Sequence, residues 1–381
     1  MGNRIEAKED AAMRRLGVLA VLFFIMAAAL GEGWIVDESL EEDAFSPGDP
    51  SVVKTIIDPY ELNLSFVGDC SIGGLPASQN RPGTYTAVVD EKGPAWPFSL
   101  VRQYLDNDDF TFANNEVVFT TEKNSRDKRT VLQAAPSYAG VYLHSGIDAL
   151  NTANNHCMDY YAAGYRETLA TLDGLGMPHF GTLYPDTKQE QDQLLIQEVK
   201  GVKIGALGFS YPQTEDLPQI EKRVRLLREQ GCALVVVSLH WGREVSSSPK
   251  DWQFTMARRI IDMGADVIWG HHPHILQQVM FYQGKPIFFS TGNFTFGAMK
   301  DVDPDTGIFQ LRYDLKGGTP RLTRFSVVPC RTQGKGDFRP YPLTDESEKQ
   351  KMLRKLIYPR TVEGMEGLPK EFAETGAVEF R

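Results

Sequence analysis

Gly270-His271-His272-Pro273-His274 gathers three of the chain's seven histidines into five residues. A neutral imidazole is a good ligand for zinc, iron, nickel or manganese. Two histidines one residue apart at the mouth of a strand can aim their nitrogens at neighbouring metal positions. The plain alternative is three solvated loop histidines, but other segments supply matching donors. Each donor follows an apolar run: Asp69 after 64–67, Glu116 after 110–112, and Asn155 and His156 after 147–150. His240 follows 234–239, and His272 and His274 follow 267–269. A shell of carboxylate, carboxamide and imidazole suits hard or borderline divalent ions. Taken singly, these residues have ordinary readings. Asp69 could cap a helix, Glu116 and Glu244 could be surface carboxylates, and Asn154, Asn155 and Asn293 could be turn residues. His240 alone could be a core histidine. The weight lies in five segments sharing one context.

The elements that would position them alternate. Strand patterns fall at 62–66, 109–113, 202–209, 233–239 and 267–269, and helical periodicity at 162–175, 217–229 and 249–263. That alternation predicts a layered α/β fold with central sheets flanked by helices. In open sheets of this class ligands collect at the carboxyl ends of the strands, which is where the donors sit. Strand patterns continue at 308–313 and 321–328, and a last helical piece at 346–357 precedes a polar tail. The chain divides into 1–31, 32–60, a main domain at 61–335, and a C-terminal extension at 336–381.

A formal net charge of -10 argues against a nucleic-acid binder, whose surface is usually basic. Cys70, Cys157, Cys232 and Cys330 form no CxxC pair, which argues against a zinc ribbon or thioredoxin-like site. Cys70 and Cys157 each follow a candidate site residue, and they read as small buried side chains in preference to reactive thiols. Near the N-terminus Arg14 and Arg15 precede an uncharged run at 16–31, intermediate in length between a signal h-region and a spanning helix. A cleaved signal peptide, with Ala27-Ala28-Ala29 as a cutting site, and a membrane anchor both fit. Either way the bulk of the chain is expected outside the cytoplasm. The acidic stretch 32–60 reads as a tether.

Six segments carry a family resemblance: Phe66-Val67-Gly68-Asp69; Ala113-Asn114-Asn115-Glu116; Ala153-Asn154-Asn155-His156 with Asp159; His240-Trp241-Gly242 with Glu244; Gly270-His271-His272-Pro273-His274 with Gln277; and Gly292-Asn293-Phe294. Over roughly 63–328 the chain resembles the CapA family of poly-γ-glutamate capsule biosynthesis proteins, whose domain is similar to calcineurin-like metallophosphatases. The resemblance implies one or two divalent ions, with manganese, iron or zinc fitting the donors. Asp69 would bind the first metal, Glu116 would bridge, Asn155, His240 and His272 would hold the second, and His274 would return to the first. His156 would contact substrate and protonate a leaving group. Asn154, His271, Asn293 and Glu244 would bind or orient substrate. Ser71 departs from the pattern by standing where Asp-x-His has its histidine, which takes one ligand from the first metal. Glu116 replaces an aspartate. Asn115, Tyr161 and Thr291 replace a usual leucine, glycine and leucine without removing ligands.

Two functional readings follow. In one, the chain is a metal-dependent hydrolase of a phosphoester, amide or ester in an envelope substrate. In the other, it is a non-catalytic component that binds an anionic polymer such as poly-γ-glutamate beside a membrane-bound synthase.

Overall fold

The structure, a computed structural model, describes residues 58–181, 194–298, 303–334 and 336–380. The hydrophobic run at 16–31 and nearly all of the acidic stretch lie outside these residues. Among the described residues no helix is long and apolar enough to cross a membrane.

Two sheets face one another, and helices cover their outer sides. The principal strands are β1 (Glu61–Ser71), β2 (Phe110–Asn115), β3 (Ala149–Asn151), β4 (Val202–Ser210), β5 (Leu234–His240), β6 (Val267–His271), β7 (Lys285–Phe288), β8 (Asn293–Phe296), β9 (Asp305–Asp314) and β10 (Arg321–Thr332). The first sheet runs β10-β9-β1-β2-β3 with short strands at either edge, and β8 also pairs with β1. The second is built around β7-β6-β5-β4. β1 is parallel to β2 and β8, and β4, β5, β6 and β7 are mutually parallel along their shared edges. The layered α/β class expected from the alternation is the class found.

The apolar runs are strands because both their faces are covered. The inner faces meet in an aromatic layer. Phe66 of β1 stacks on Phe112 of β2, with ring centroids 5.1 Å apart, and meets Trp269 of β6 and Phe288 of β7 edge-on at 5.7 and 5.8 Å. The Trp269 indole N–H crosses between the sheets to the Val67 carbonyl at 3.2 Å. This buried donor therefore keeps a partner while tying β6 to β1. Outside the second sheet pack α2 (Leu217–Glu229) and α3 (Asp251–Asp262), through Ile220, Val224, Leu227, Phe254, Ala257 and Ile260. α1 (Tyr161–Leu175) begins just after the Asn154–Asp159 turn.

The stretch read from sequence as a polar tail is part of this core. Ala377–Glu379 pairs with β10, and Leu368 and Phe372 are buried in the layer between the sheets. Its apolar residues are too widely spaced to show a period, so only the packing reveals them. All four cysteines are free and buried, as the sequence suggested for Cys70 and Cys157.

Register carries the strand ends to one rim. Asp69 pairs with Asn114 and with Asn293, Asn114 pairs with Asn151, and His240 pairs with both His271 and Ser210. Close backbone approach at the rim requires glycine at two points. A Cβ on Gly68 would lie 2.0 Å from the Gly292 carbonyl oxygen, and one on Gly270 would lie 2.2 Å from that of Phe289.

Candidate metal centre

Asp69 is wholly buried at the end of β1. Its Oδ1 accepts from Asn114 Nδ2 at 2.8 Å and stands 2.9 Å from His271 Nδ1. Oδ2 lies 3.4 Å from the His272 backbone N–H and 3.5 Å from His274 Nδ1. One oxygen is thus held by the framework and the other faces the histidines. Burial works to raise the Asp69 pKa. His271, His274 and Asn114 outweigh it and hold the carboxyl below its ordinary value.

Glu116 follows β2. It has no exposure, and neither carboxylate oxygen has a hydrogen-bond partner. Three imidazole nitrogens surround its Oε1: His240 Nε2 at 3.6 Å, His156 Nε2 at 3.9 Å and His274 Nε2 at 3.9 Å. Burial first, then the charges of Asp69, Glu244 and Asp159, push its pKa well above the carboxylate range. The histidines shift the opposite way. Burial and the neighbouring imidazoles hold His240 well below its ordinary value, and His272 is pulled down to about 4 by burial and His274. A carboxylate driven toward neutrality beside imidazoles driven toward neutrality forms an arrangement that a divalent cation satisfies on both counts. The donor set therefore fits such an ion, and the orphaned oxygens of Glu116 are the sharpest sign of it.

The remaining residues close the site. His240 Nε2 is 3.1 Å from His272 Nδ1, and His272 Nε2 is 2.8 Å from the Tyr211 hydroxyl. Trp241 stacks on Phe289 and donates to its carbonyl at 3.1 Å, which anchors the strand end carrying His240. Asn155 has a buried side-chain oxygen without a partner, available to an ion. His156 Nδ1 is 2.7 Å from Asp159 Oδ2, which leaves Nε2 turned to Glu116. Burial lowers the His156 pKa despite the opposing pull of Asp159. Lys128 forms an ion pair with Asp159 and donates to the Asn155 carbonyl at 2.9 Å.

The structure thus brings Asp69, Glu116, Asn155, His156, His240, His272 and His274 to one rim. Two sets of three donors stand close enough together to share an ion. The ligand atoms of Asp69, Glu116 and His240 lie within 4.8 Å of one another, as do those of Glu244, His272 and His274. Asn154, His271 and Asn293 lie behind the donors. Asn154 donates to the Asn115 carbonyl at 2.8 Å, and Asn293 Oδ1 sits 2.9 Å from His274 Nδ1. All three are almost fully buried, so in this structure they brace ligands rather than face solvent. Sequence reasoning missed Tyr211 and Lys128. Tyr211 had a usable signal, since it directly follows β4 and shares the context of the other donors. Lys128 had none, because it lies in an irregular loop.

A profile of the family described as bacterial capsule synthesis protein PGA_cap matches residues 63–298. The chain belongs to this family. It is 32% identical over 317 residues to the PGA biosynthesis protein CapA of Bacillus subtilis, covering 79% of this chain and 78% of that one. It is 32% identical over 324 residues to the capsule biosynthesis protein CapA of Bacillus anthracis, covering 78% and 73%. Among solved structures, this PGA_cap chain overlays on the Haemophilus influenzae NAD nucleotidase at a TM-score of 0.42 and 13% identity, covering 78% of this chain and 56% of that one. Overlay on a hypothetical protein from Thermus thermophilus also gives 0.42, at 15% identity, covering 70% and 98%. Neither overlap bears on activity.

Proposed function

We propose that this PGA_cap chain acts in capsule or poly-γ-glutamate biosynthesis as an exported domain with a divalent metal centre. The observation that carries the metal centre is Glu116, a fully buried carboxylate with two unpartnered oxygens facing three imidazoles. Asp69, Glu116 and His240 would hold an ion, with Asn155, His272 and His274 beside them. The basic pair Arg14 and Arg15 before the apolar run at 16–31 supports export, by cleaved signal or by anchor. The PGA and capsule biosynthesis roles that name the Bacillus relatives support an anionic polymer as the molecule handled.

A second reading, hydrolysis of a phosphoester or amide in an envelope substrate, is favoured by the geometry of His156. When bound, a divalent cation supplies Lewis acidity toward a phosphoryl or carbonyl oxygen and makes water a stronger acid. The chain's own part is proton handling. Asp159 fixes Nδ1 of His156 and Lys128 fixes Asp159, so Nε2 is the atom that would take a proton from the attacking water and pass it to a departing oxygen or nitrogen.

Metal analysis of the purified full chain, with phosphoester and poly-γ-glutamate turnover assays, separates the readings. Bound metal that His240→Ala removes is expected under both. Metal-dependent turnover lost in His156→Ala marks the hydrolase. Polymer binding without turnover marks the assembly component. A chain that binds no divalent ion at micromolar concentration sinks the metal centre.

A further inference from the structure

One carboxylate beside the deep cluster has no cation to answer it. Glu244 is exposed in the loop after Gly242, and among the described residues it makes no ion pair. Its ligand oxygen and the ring nitrogens of His272 and His274 lie mutually within 4.8 Å. None of these residues belongs to the deep triad, so the two triads describe two positions. They adjoin, because His272 Nδ1 is 3.1 Å from His240 Nε2 and His274 Nδ1 is 3.5 Å from Asp69 Oδ2. An unpartnered buried group also points at the outer triad: Glu116 Oε1 stands 3.9 Å from His274 Nε2.

The backbone holds this arrangement in place. The Val245 N–H donates to the Pro273 carbonyl at 2.9 Å, joining the Glu244 loop to the His272-Pro273-His274 turn. On either side of that bond Val245, His272 and His274 have φ values of 55°, 95° and 57°. Left-handed backbone at a non-glycine residue is unfavourable and persists where the surroundings over-determine it. A β-branched valine there is rarer still. In this bonded turn the ligand atoms of the two histidines and the carboxylate stand together. Ser71 leaves the Asp69 side short of the imidazole that an Asp-x-His motif would supply.

We propose that Glu244 is a metal ligand which, with His272 and His274, forms an outer divalent-cation position beside the Asp69–Glu116–His240 position. Two imidazoles and a carboxylate suit manganese, iron(II) or zinc. The exposure of Glu244 makes this the exchangeable ion and leaves coordination places open to water and substrate. The proposal rests on the metal centre argued above.

The test is calorimetric titration of Mn²⁺ into the metal-free full chain, with electron paramagnetic resonance of the loaded protein. The wild type is expected to take up two ions with a spin-coupled spectrum. Glu244→Gln is expected to take up one, with the coupling gone, the inner affinity within about threefold of wild type, and an unchanged melting temperature without metal. Glu244→Gln that still binds two ions at wild-type affinity overturns the proposal. So does a wild type that binds a single ion which Glu116→Gln abolishes and Glu244→Gln leaves intact; the metal centre then survives. A wild type that binds none overturns both.

Discussion

Glu116→Gln is the substitution whose outcome depends most directly on what the site is for. Asp69 and Glu116 present ligand atoms within 4.8 Å of each other. Two full charges at that distance repel by about 3 kcal/mol at an effective dielectric of about 20. Without metal, Glu116 escapes part of this by holding a proton, so Glu116→Gln stabilises the metal-free protein by between zero and about 3 kcal/mol. Nothing is lost in exchange, because neither Glu116 oxygen accepts a hydrogen bond. With metal the order reverses. An ion at 100 times its dissociation constant adds about 2.7 kcal/mol to wild-type stability, a rise of roughly 4 °C in Tm for a folded unit of this size. The variant, lacking the central anion, gains almost none of it. Differential scanning fluorimetry with and without Mn²⁺ reads all four values. The reasoning is refuted if metal-free Glu116→Gln melts several degrees below wild type and still shows the full rise with Mn²⁺; the carboxylate would then be structural.

Further outcomes follow from the surrounding groups. In metal-free Glu116→Gln, stability is expected to be full above pH 6.5 and to fall as pH drops toward about 4. His240 and His272 stay neutral in the fold while the unfolded chain takes up protons, and His272 alone accounts for about 3 kcal/mol. Urea denaturation at pH 7 and pH 5 checks this, and a slope that His272→Asn leaves unchanged would contradict it. In the wild type, Glu116 works against this slope, because its raised pKa favours the fold at lower pH. Lys128→Met strands the buried Asp159 carboxylate and is expected to cost about 1–3 kcal/mol, less than for a fully buried pair because Lys128 is 29% exposed. Adding Asp159→Asn should restore much of that loss, and a double variant no better than the single one would show the pair is not the cause. Gly68→Ala places a methyl group 2.0 Å from the Gly292 carbonyl oxygen. Forcing β1 from that segment should cost on the order of 3 kcal/mol and weaken Mn²⁺ binding, whereas a wild-type melting curve and wild-type binding would mean the strands part freely.

How far the site was legible varies by residue. Asp69, Glu116, His156, His240, His272 and His274 were legible because strand endings are written locally, as apolar runs that stop at a polar side chain. β6 was expected to end at Trp269 and instead includes Gly270 and His271, since pairing with β5 continues to His240. That extension buries His271 behind Asp69, and no local pattern announces it. Glu244 taken singly could pass for a surface carboxylate, and the family resemblance gave it a substrate-binding role; it is exposed. Its placement beside two histidines comes from one backbone hydrogen bond to Pro273. Lys128 was invisible for the same kind of reason: its partners Asp159 and Asn155 lie about 30 residues further along the chain, across the loop that separates them.

The sequence by itself determined the α/β class, the family and the burial of Cys70 and Cys157. Apolar periodicity and side-chain chemistry are properties of neighbouring residues, and they survive without coordinates. Only the tertiary structure decided which donors stand together, which asparagines brace instead of bind, and that the polar tail completes the core. Those outcomes depend on strand register and on contacts between distant segments. A register shift of one residue would turn Asp69 or His240 away from the rim without altering the local pattern that marks each as the end of a strand.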